Sequence, residues 1–205
     1  MPKLTLYHAT PSRSAVALWM LEETGAPYDV EMIDLGQNEQ SKPAYLAINP
    51  MGKVPALKAD GVIVTEVAAV CAYLADAFPD KALAPPIGDA RRGLYFKWLF
   101  FSPSVIEPAA MDRMFPRKEE PRAGALGWRN LDAVLDTVAK GLVPGPYLLG
   151  EQFTAADVVV GSLLNWGMGF GFLPKRPEFE PYVARLNARP AAQRAAAKDK
   201  DLGGK

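Results

Sequence analysis

The sequence predicts an α/β unit over residues 1–80 and an all-helical unit over 90–205, joined by a linker at 81–89. Three observations carry this. The first stretch switches between strand-like alternation and helical spacing and back. An Asp60-Gly61 step then separates two short β-rich runs. Beyond a proline-rich break, the apolar pattern is helical throughout.

Residues 3–7, Lys-Leu-Thr-Leu-Tyr, alternate polar and apolar side chains, as a short half-buried strand does. Pro11 and Ser12 form a helix-start signal. Ala15, Val16, Trp19 and Met20 follow at helical spacing, and Gly25 ends the run. Residues 28–34 alternate again, with Tyr28, Val30 and Met32 on one face. Strand, helix and strand in this order make a βαβ unit, whose crossover sets the two strands parallel and right-handed.

Residues 36–48 are polar and then weakly helical. The runs Val54–Lys58 and Val62–Thr65 flank Asp60-Gly61, a strong hairpin signal. Thr65 is expected to cap a helix reaching Phe78, with Val67, Val70, Cys71 and Leu74 toward the core. Residues 79–89 hold Pro79, Pro85 and Pro86 and no period, so they read as a linker. Helices are expected over 90–101, 123–140, 155–170 and 179–187. The stripe Leu131, Val134, Leu135 and Val138 in the second is the clearest of them. Thr154 and Asp157 are spaced as a capping box with Asp in place of Glu.

Composition narrows the function. Lys and Arg total 23, and so do Asp and Glu, which argues against a nucleic-acid binder with its basic excess. One cysteine, Cys71, forbids an internal disulfide and suits a reducing cytoplasm. No signal-like N-terminus and no membrane-length apolar run is expected. With one His and one Cys, no zinc site of the usual kinds is expected.

Four segments in order carry a family likeness: residues 4–30 (LTLYHATPSRSAVALWMLEETGAPYDV), 45–57 (YLAINPMGKVPAL), 62–78 (VIVTEVAAVCAYLADAF) and 147–164 (YLLGEQFTAADVVVGSLL). Together they resemble the glutathione transferase superfamily. The likeness is nearest to the bacterial and fungal cytosolic type with a Ser-Arg-Ser step before its first helix. It implies an N-terminal thioredoxin-like domain (βαβαββα) and a C-terminal all-helical domain that contributes the electrophile pocket. It also implies glutathione as cosubstrate, a small hydrophobic electrophile as partner, a homodimer and a cytoplasmic, detoxifying role.

The chemistry such a protein performs is thiol activation. A free cysteine-like thiol ionises near about 8.5, so only a few per cent is nucleophilic thiolate at neutral pH. Lowering that value by about 2 units takes roughly 2.7 kcal/mol of preferential thiolate stabilisation. A hydroxyl hydrogen bond together with a helix N-terminus is of that order. Thr10, Ser12 and Ser14 all carry hydroxyls at the strand-to-helix turn. Counting back from Gly25 favours Ser12; counting from Ala15-Val16 favours Thr10. Either hydroxyl could instead serve as an N-cap. Arg13 could add positive potential or be simply solvated, and His8, close by, fits a structural or a catalytic part.

The resemblance assigns the rest of the glutathione site. Val54, before a Pro55 that is cis in the fold, pairs its backbone with the cysteinyl part of the peptide. Lys53, and less directly Lys42, meets the glycine carboxylate. Glu66 opens the third helix and helps hold the γ-glutamyl ammonium, beside helix N–H groups suited to a carboxylate. Val67 stands where the family usually has Ser. The hydrogen bond lost there is worth roughly 1.5–3 kcal/mol.

Trp98, Phe101, Met111, Met114, Phe115 and Trp166 are candidates for the apolar electrophile pocket, with core packing the competing assignment for each. Cys71 fits a buried structural thiol. Two other functions remain compatible with the pattern. One is a glutathione-dependent peroxidase or isomerase; the other is a non-catalytic glutathione-fold binding protein, which the Val67 departure keeps open.

Overall fold

The computed structural model describes residues 1–204; Lys205, the last residue of the expected helical domain, lies outside the described residues. The chain forms two compact units. One comprises Met1–Lys81 together with the segment from Ala188 onward, and the other is Ala82–Asn187.

The first unit is built on a mixed four-stranded sheet in the order β2-β1-β3-β4. Its strands are β1 (Leu4–His8), β2 (Tyr28–Met32), β3 (Ala56–Ala59) and β4 (Val62–Thr65). β1 and β2 are parallel, as a βαβ crossover requires, and β1–β3 and β3–β4 are antiparallel. Between β3 and β4, Asp60 and Gly61 both take positive φ (47° and 91°), which is what the tight hairpin turn demands and what Asp-Gly supplies cheaply. Leu4, Leu6 and Leu57 are fully sealed from solvent on the sheet.

Three helices of this unit frame the sheet. α1 (Ser14–Thr24) ends at Gly25 in the left-handed conformation, with the Gly25 N–H returning to the Leu21 carbonyl. The short α2 (Pro43–Leu46) carries Tyr45 into the core, where its ring meets Tyr7 edge-on at 6.0 Å. α3 (Val67–Ala77) buries Ala68, Val70, Cys71 and Leu74. Thr65 does not cap α3: it pairs with Ala56 inside the sheet, and Glu66 is the flanking residue. Burial pushes the Cys71 thiol pKa up, which suits a packing residue.

The sequence boundary ran the helical part to residue 205, but the terminal helix groups with the first unit. It is an Ala-rich segment started by a Pro at its first turn. Arg189 Nε and Nη2 reach both carboxylate oxygens of Glu23 at 2.7 and 2.8 Å, and Arg194 Nε meets Glu22 at 2.9 Å. The Lys198 ammonium stands 3.9 Å from the Tyr28 ring centre.

The second unit is helical: α4 (Arg91–Phe101), α5 (Glu107–Met114), α6 (Leu131–Leu142), α7 (Ala155–Gly169) and α8 (Phe179–Asn187), with α9 (Pro190–Gly203) being the terminal helix described above. A π-helical stretch, Ser102–Ile106, joins α4 to α5. The helix expected from residue 123 begins at Leu131 instead. Asn130 sets that start, its side chain accepting the Ala133 N–H at 3.0 Å, an N-cap the apolar stripe alone did not reveal.

Asp157 makes the capping box with Thr154 and goes further. Its carboxylate accepts the N–H groups of Thr154 and Leu148, both at 2.9 Å, and the hydroxyls of Thr154 and Tyr182 at 3.1 and 3.0 Å. Burial is the largest influence on its pKa and raises it; the four donors oppose that. Replacing Asp157 with Ala would strand buried donors around a sealed cavity. We expect Asp157→Ala to lower unfolding free energy by about 3–5 kcal/mol, read by urea denaturation followed by circular dichroism.

Candidate functional site

The sheet register decides what can meet at the site. Tyr7, Ala56 and Thr65 lie side by side across β1, β3 and β4. The turn after β1, the chain entering β3 and the chain leaving β4 therefore emerge at one edge of the sheet. These are the segments carrying Thr10 to Arg13, Lys53 to Pro55, and Glu66 to Val67.

At the first of them, both Thr10–Pro11 and Val54–Pro55 peptide bonds are cis. Ser12 is half-buried, and its Oγ accepts the Ser14 N–H at 3.1 Å, so it also satisfies a donor at the start of α1. The Ser12 and Ser14 hydroxyls are 2.6 Å apart. Arg13 is exposed at the start of α1.

Thr10 is engaged differently. Its hydroxyl donates to the Asp199 carboxylate at 2.8 Å and also lies 3.3 Å from the Asp199 carbonyl. The last turn of α9 closes directly on it. A Cβ at Gly203 would fall 2.7 Å from Thr10 Cγ2, so the absence of a side chain there permits the approach.

Behind these residues sits His8, fully buried. Its Nε2 lies 2.8 Å from Asp199 Oδ1 and 3.0 Å from Thr10 Oγ1, and its Nδ1 lies 2.7 Å from Ser14 Oγ. Burial lowers the His8 pKa, and the Asp199 carboxylate partly opposes this. The neutral ring is thus the resting form at neutral pH.

The second segment is locked from behind. The Lys53 carbonyl accepts the Tyr45 hydroxyl and an Asn49 side-chain N–H, each at 2.7 Å. Val54 packs against the Tyr7, Tyr45 and Ala56 cluster, which leaves its peptide unit fixed at the sheet edge. The Lys53 side chain is exposed. Lys42 is also exposed, with its ammonium 3.6 Å from Glu39.

The third segment is strained. Glu66 takes φ 67° and ψ 120°, a left-handed value costly for a residue with a side chain. It precedes α3, whose first residue is Val67, and its side chain makes no capping bond. The first N–H groups of α3 therefore have no side-chain cap from Glu66.

The apolar candidates belong to the second unit and divide by exposure. Trp98 is core, only 2 % exposed, with Phe101 packed edge-on at 5.4 Å. Phe101, Met111 and Trp166 are half-buried, whereas Met114 and Phe115 are exposed. Trp166 meets Phe170 edge-on at 5.3 Å. Among the described residues no group of three or more His, Cys, Asp or Glu side chains could hold a metal ion, and no helix is long and apolar enough to cross a membrane.

Ser14 was marked in the sequence only as one of three hydroxyls on the turn, and Asp199 carried no signal, lying in a charged Lys-Asp-Lys-Asp run that looks like solvated helix surface.

Comparison with known proteins places the fold. The glutathione S-transferase N-terminal domain model matches residues 2–76, and the C-terminal domain model matches residues 108–166. Glutathione S-transferase GstA of Escherichia coli O157:H7 is 26% identical over 195 residues, covering 94% of this chain and 96% of the relative. A solved glutathione transferase of Methylococcus capsulatus strain Bath is 33% identical with a TM-score of 0.81, over 96% of this chain and 98% of that one. A Sulfitobacter glutathione transferase homologue, solved with bound glutathione, is 29% identical with a TM-score of 0.79, over 98% and 99%. With both domain models matched in order and solved transferases superposing over nearly the whole length, the chain belongs to the glutathione S-transferase superfamily.

Proposed function

We propose that this protein is a glutathione transferase that ionises the glutathione thiol and directs the thiolate at a hydrophobic electrophile. The observation that carries this is the convergence at one sheet edge of Ser12, the cis Val54–Pro55 step and the strained Glu66 before α3. Those three elements match the three needs of an anionic thiol tripeptide.

Ser12 donates to the thiolate. Its support over Thr10 is that the Thr10 hydroxyl proton is already given to Asp199. A hydroxyl donor and the α1 N-terminus favour the anion together. Val54 offers its peptide N–H and C=O to the cysteinyl backbone as a short strand pairing. Glu66 holds the γ-glutamyl ammonium, and the free N–H groups of α3 hold its carboxylate. Lys53 meets the glycine carboxylate, with Arg13 adding positive potential; Lys42 takes a lesser part because Glu39 already neutralises it.

In the helical unit, Phe101, Met111, Met114, Phe115 and Trp166 offer apolar surface to the electrophile, and Trp98 supports Phe101 from the core. The thiolate attacks the electrophilic carbon, a carbon–sulfur bond forms, and the leaving group departs with its electron pair in substitution. The protein acts in the cytoplasm as a homodimer, as the family likeness implies.

Val67 supports a second reading, a glutathione-fold protein that binds without turnover, since it removes a hydroxyl from the α-carboxylate site. Retention on immobilised glutathione and conjugation of a chlorodinitroaromatic electrophile separate these. Retention with turnover supports the transferase, retention without turnover supports the binding protein, and loss of both sinks each.

Two variants sharpen this. Ser12→Ala is expected to lower kcat/KM for conjugation about a hundredfold just below neutral pH, with recovery in alkali as the thiol ionises unaided. Val67→Ser restores a hydroxyl to the carboxylate site and is expected to tighten glutathione binding about tenfold or more, measured by titration calorimetry.

A further inference from the structure

The hydroxyl at Ser12 does not stand alone. It is the outer end of a chain of short hydrogen bonds running inward: Ser12 Oγ to Ser14 Oγ at 2.6 Å, Ser14 Oγ to His8 Nδ1 at 2.7 Å, and His8 Nε2 to Asp199 Oδ1 at 2.8 Å. Donor and acceptor roles along it follow from Asp199. A carboxylate accepts, so His8 carries its proton on Nε2 and donates it outward to Asp199. His8 Nδ1 is then an acceptor, and Ser14 donates to it. Ser14 Oγ also lies 3.1 Å from both the Ala9 N–H and the Ala9 carbonyl; with its proton on the shorter contact to His8, it accepts from Ala9 and from Ser12. Ser12 in turn presents a lone pair to whatever lies outside.

We infer that His8 is the proton acceptor for the glutathione thiol, reached through Ser12 and Ser14 and held in place by Asp199. This rests on the placement of the thiol against Ser12 proposed above. The transfer balances without any added reagent. The thiol gives its proton to Ser12 Oγ. Ser12 passes its own proton to Ser14, and Ser14 passes its own to His8 Nδ1. Each hydroxyl gains one proton and loses one. The products are a glutathione thiolate accepting from Ser12 O–H and a His8 imidazolium paired with Asp199. The chain has reversed direction, and Ser12 has become a donor only because the proton has arrived inside.

His8 is neutral at rest and so able to accept a proton, but the burial that lowers its pKa opposes keeping it. The Asp199 carboxylate at 2.8 Å, together with the thiolate formed by the same transfer, is the charge that offsets this. The ring nitrogens of His8 meet the neutral hydroxyls of Ser14 from α1 and Thr10 from the turn, and Asp199 from α9 is the charged group that acts on the ring. Asp199 thus provides the counter-charge that a buried imidazolium needs. His8 and Asp199 act through Ser12 and are positioning and proton-holding residues rather than groups that touch substrate.

The test counts protons. Thiolate formed on binding is measured by its ultraviolet absorbance at neutral pH. Protons released to solvent are measured by calorimetry in buffers of different ionisation enthalpy, with S-methylglutathione, which has no thiol, as the subtracted reference. The wild-type protein is expected to release far less than one proton per thiolate formed, because the proton stays on His8. In His8→Gln, the thiolate fraction at neutral pH is expected to fall about tenfold, the alkaline limb of the pH–rate profile to move up by about one unit, and each thiolate still formed to release one proton. Asp199→Asn, which keeps the shape of the α9 contact, is expected to move the profile the same way.

One proton released per thiolate by the wild type overturns the relay while leaving Ser12 as donor intact. Unchanged profiles in both variants also overturn it. Full thiolate formation in Ser12→Ala overturns the Ser12 assignment itself, a result read separately from the proton count, and absence of any thiolate in the wild type overturns both.

Discussion

The row formed by Tyr7, Ala56 and Thr65 is the constraint on which the site depends. Backbone hydrogen bonds fix which residue of β3 lies between β1 and β4. A slip of one residue in either ladder would turn Leu57 and its neighbours to the opposite face and expose what is now sealed. The core therefore protects the register, and the register delivers three chain segments to one edge. Each segment is then held by different means: Ser12 by the start of α1, Val54 by its packing on Tyr7 and Tyr45, and Glu66 by the helix that follows it.

Helix α9 adds a second constraint at the same edge. Its ties are graded along its length, from the bidentate Arg189–Glu23 pair to the Asp199 contact with Thr10 and His8. The Glu23 side chain is only 7 % exposed, and its oxygens also accept from the Trp19 ring N–H at 2.8 Å, so this pair is better shielded than a typical surface ion pair. The same helix carries Asp199, whose carboxylate meets the Thr10 hydroxyl and the His8 ring, both at 2.8 Å.

Much of the fold was legible in residues 1–80. The Asp60-Gly61 turn, the alternation of 3–7 and 28–34, and the Gly25 stop each follow from local backbone chemistry, and each element formed where that chemistry placed it. Thr65 misled because a threonine before an apolar run is a good cap locally, yet the ladder with Ala56 claimed it. The stretch 123–130 misled because apolar spacing continues upstream of a helix that Asn130 starts. Of the site, the loop, the Val54–Pro55 step and Glu66 were marked by their sequence neighbourhood. Asp199 was not: it is separated from His8 by most of the chain, and a charged residue in a polar helix carries no mark of what it will face.

Thr10 and Ser12 show why counting along the sequence could not choose between two hydroxyls. Both lie on the same turn, and both have one proton to give. Asp199 decides, because an anion at 2.8 Å claims the proton of the hydroxyl beside it. Thr10 thereby donates to the interior, and it helps fix the carboxylate that His8 also uses. Ser12 reaches the same carboxylate only through Ser14 and His8, and its proton can point either way along that path. Under the relay proposed above, the hydroxyl suited to a thiol that must first lose a proton and then be stabilised without it is the one whose direction can reverse.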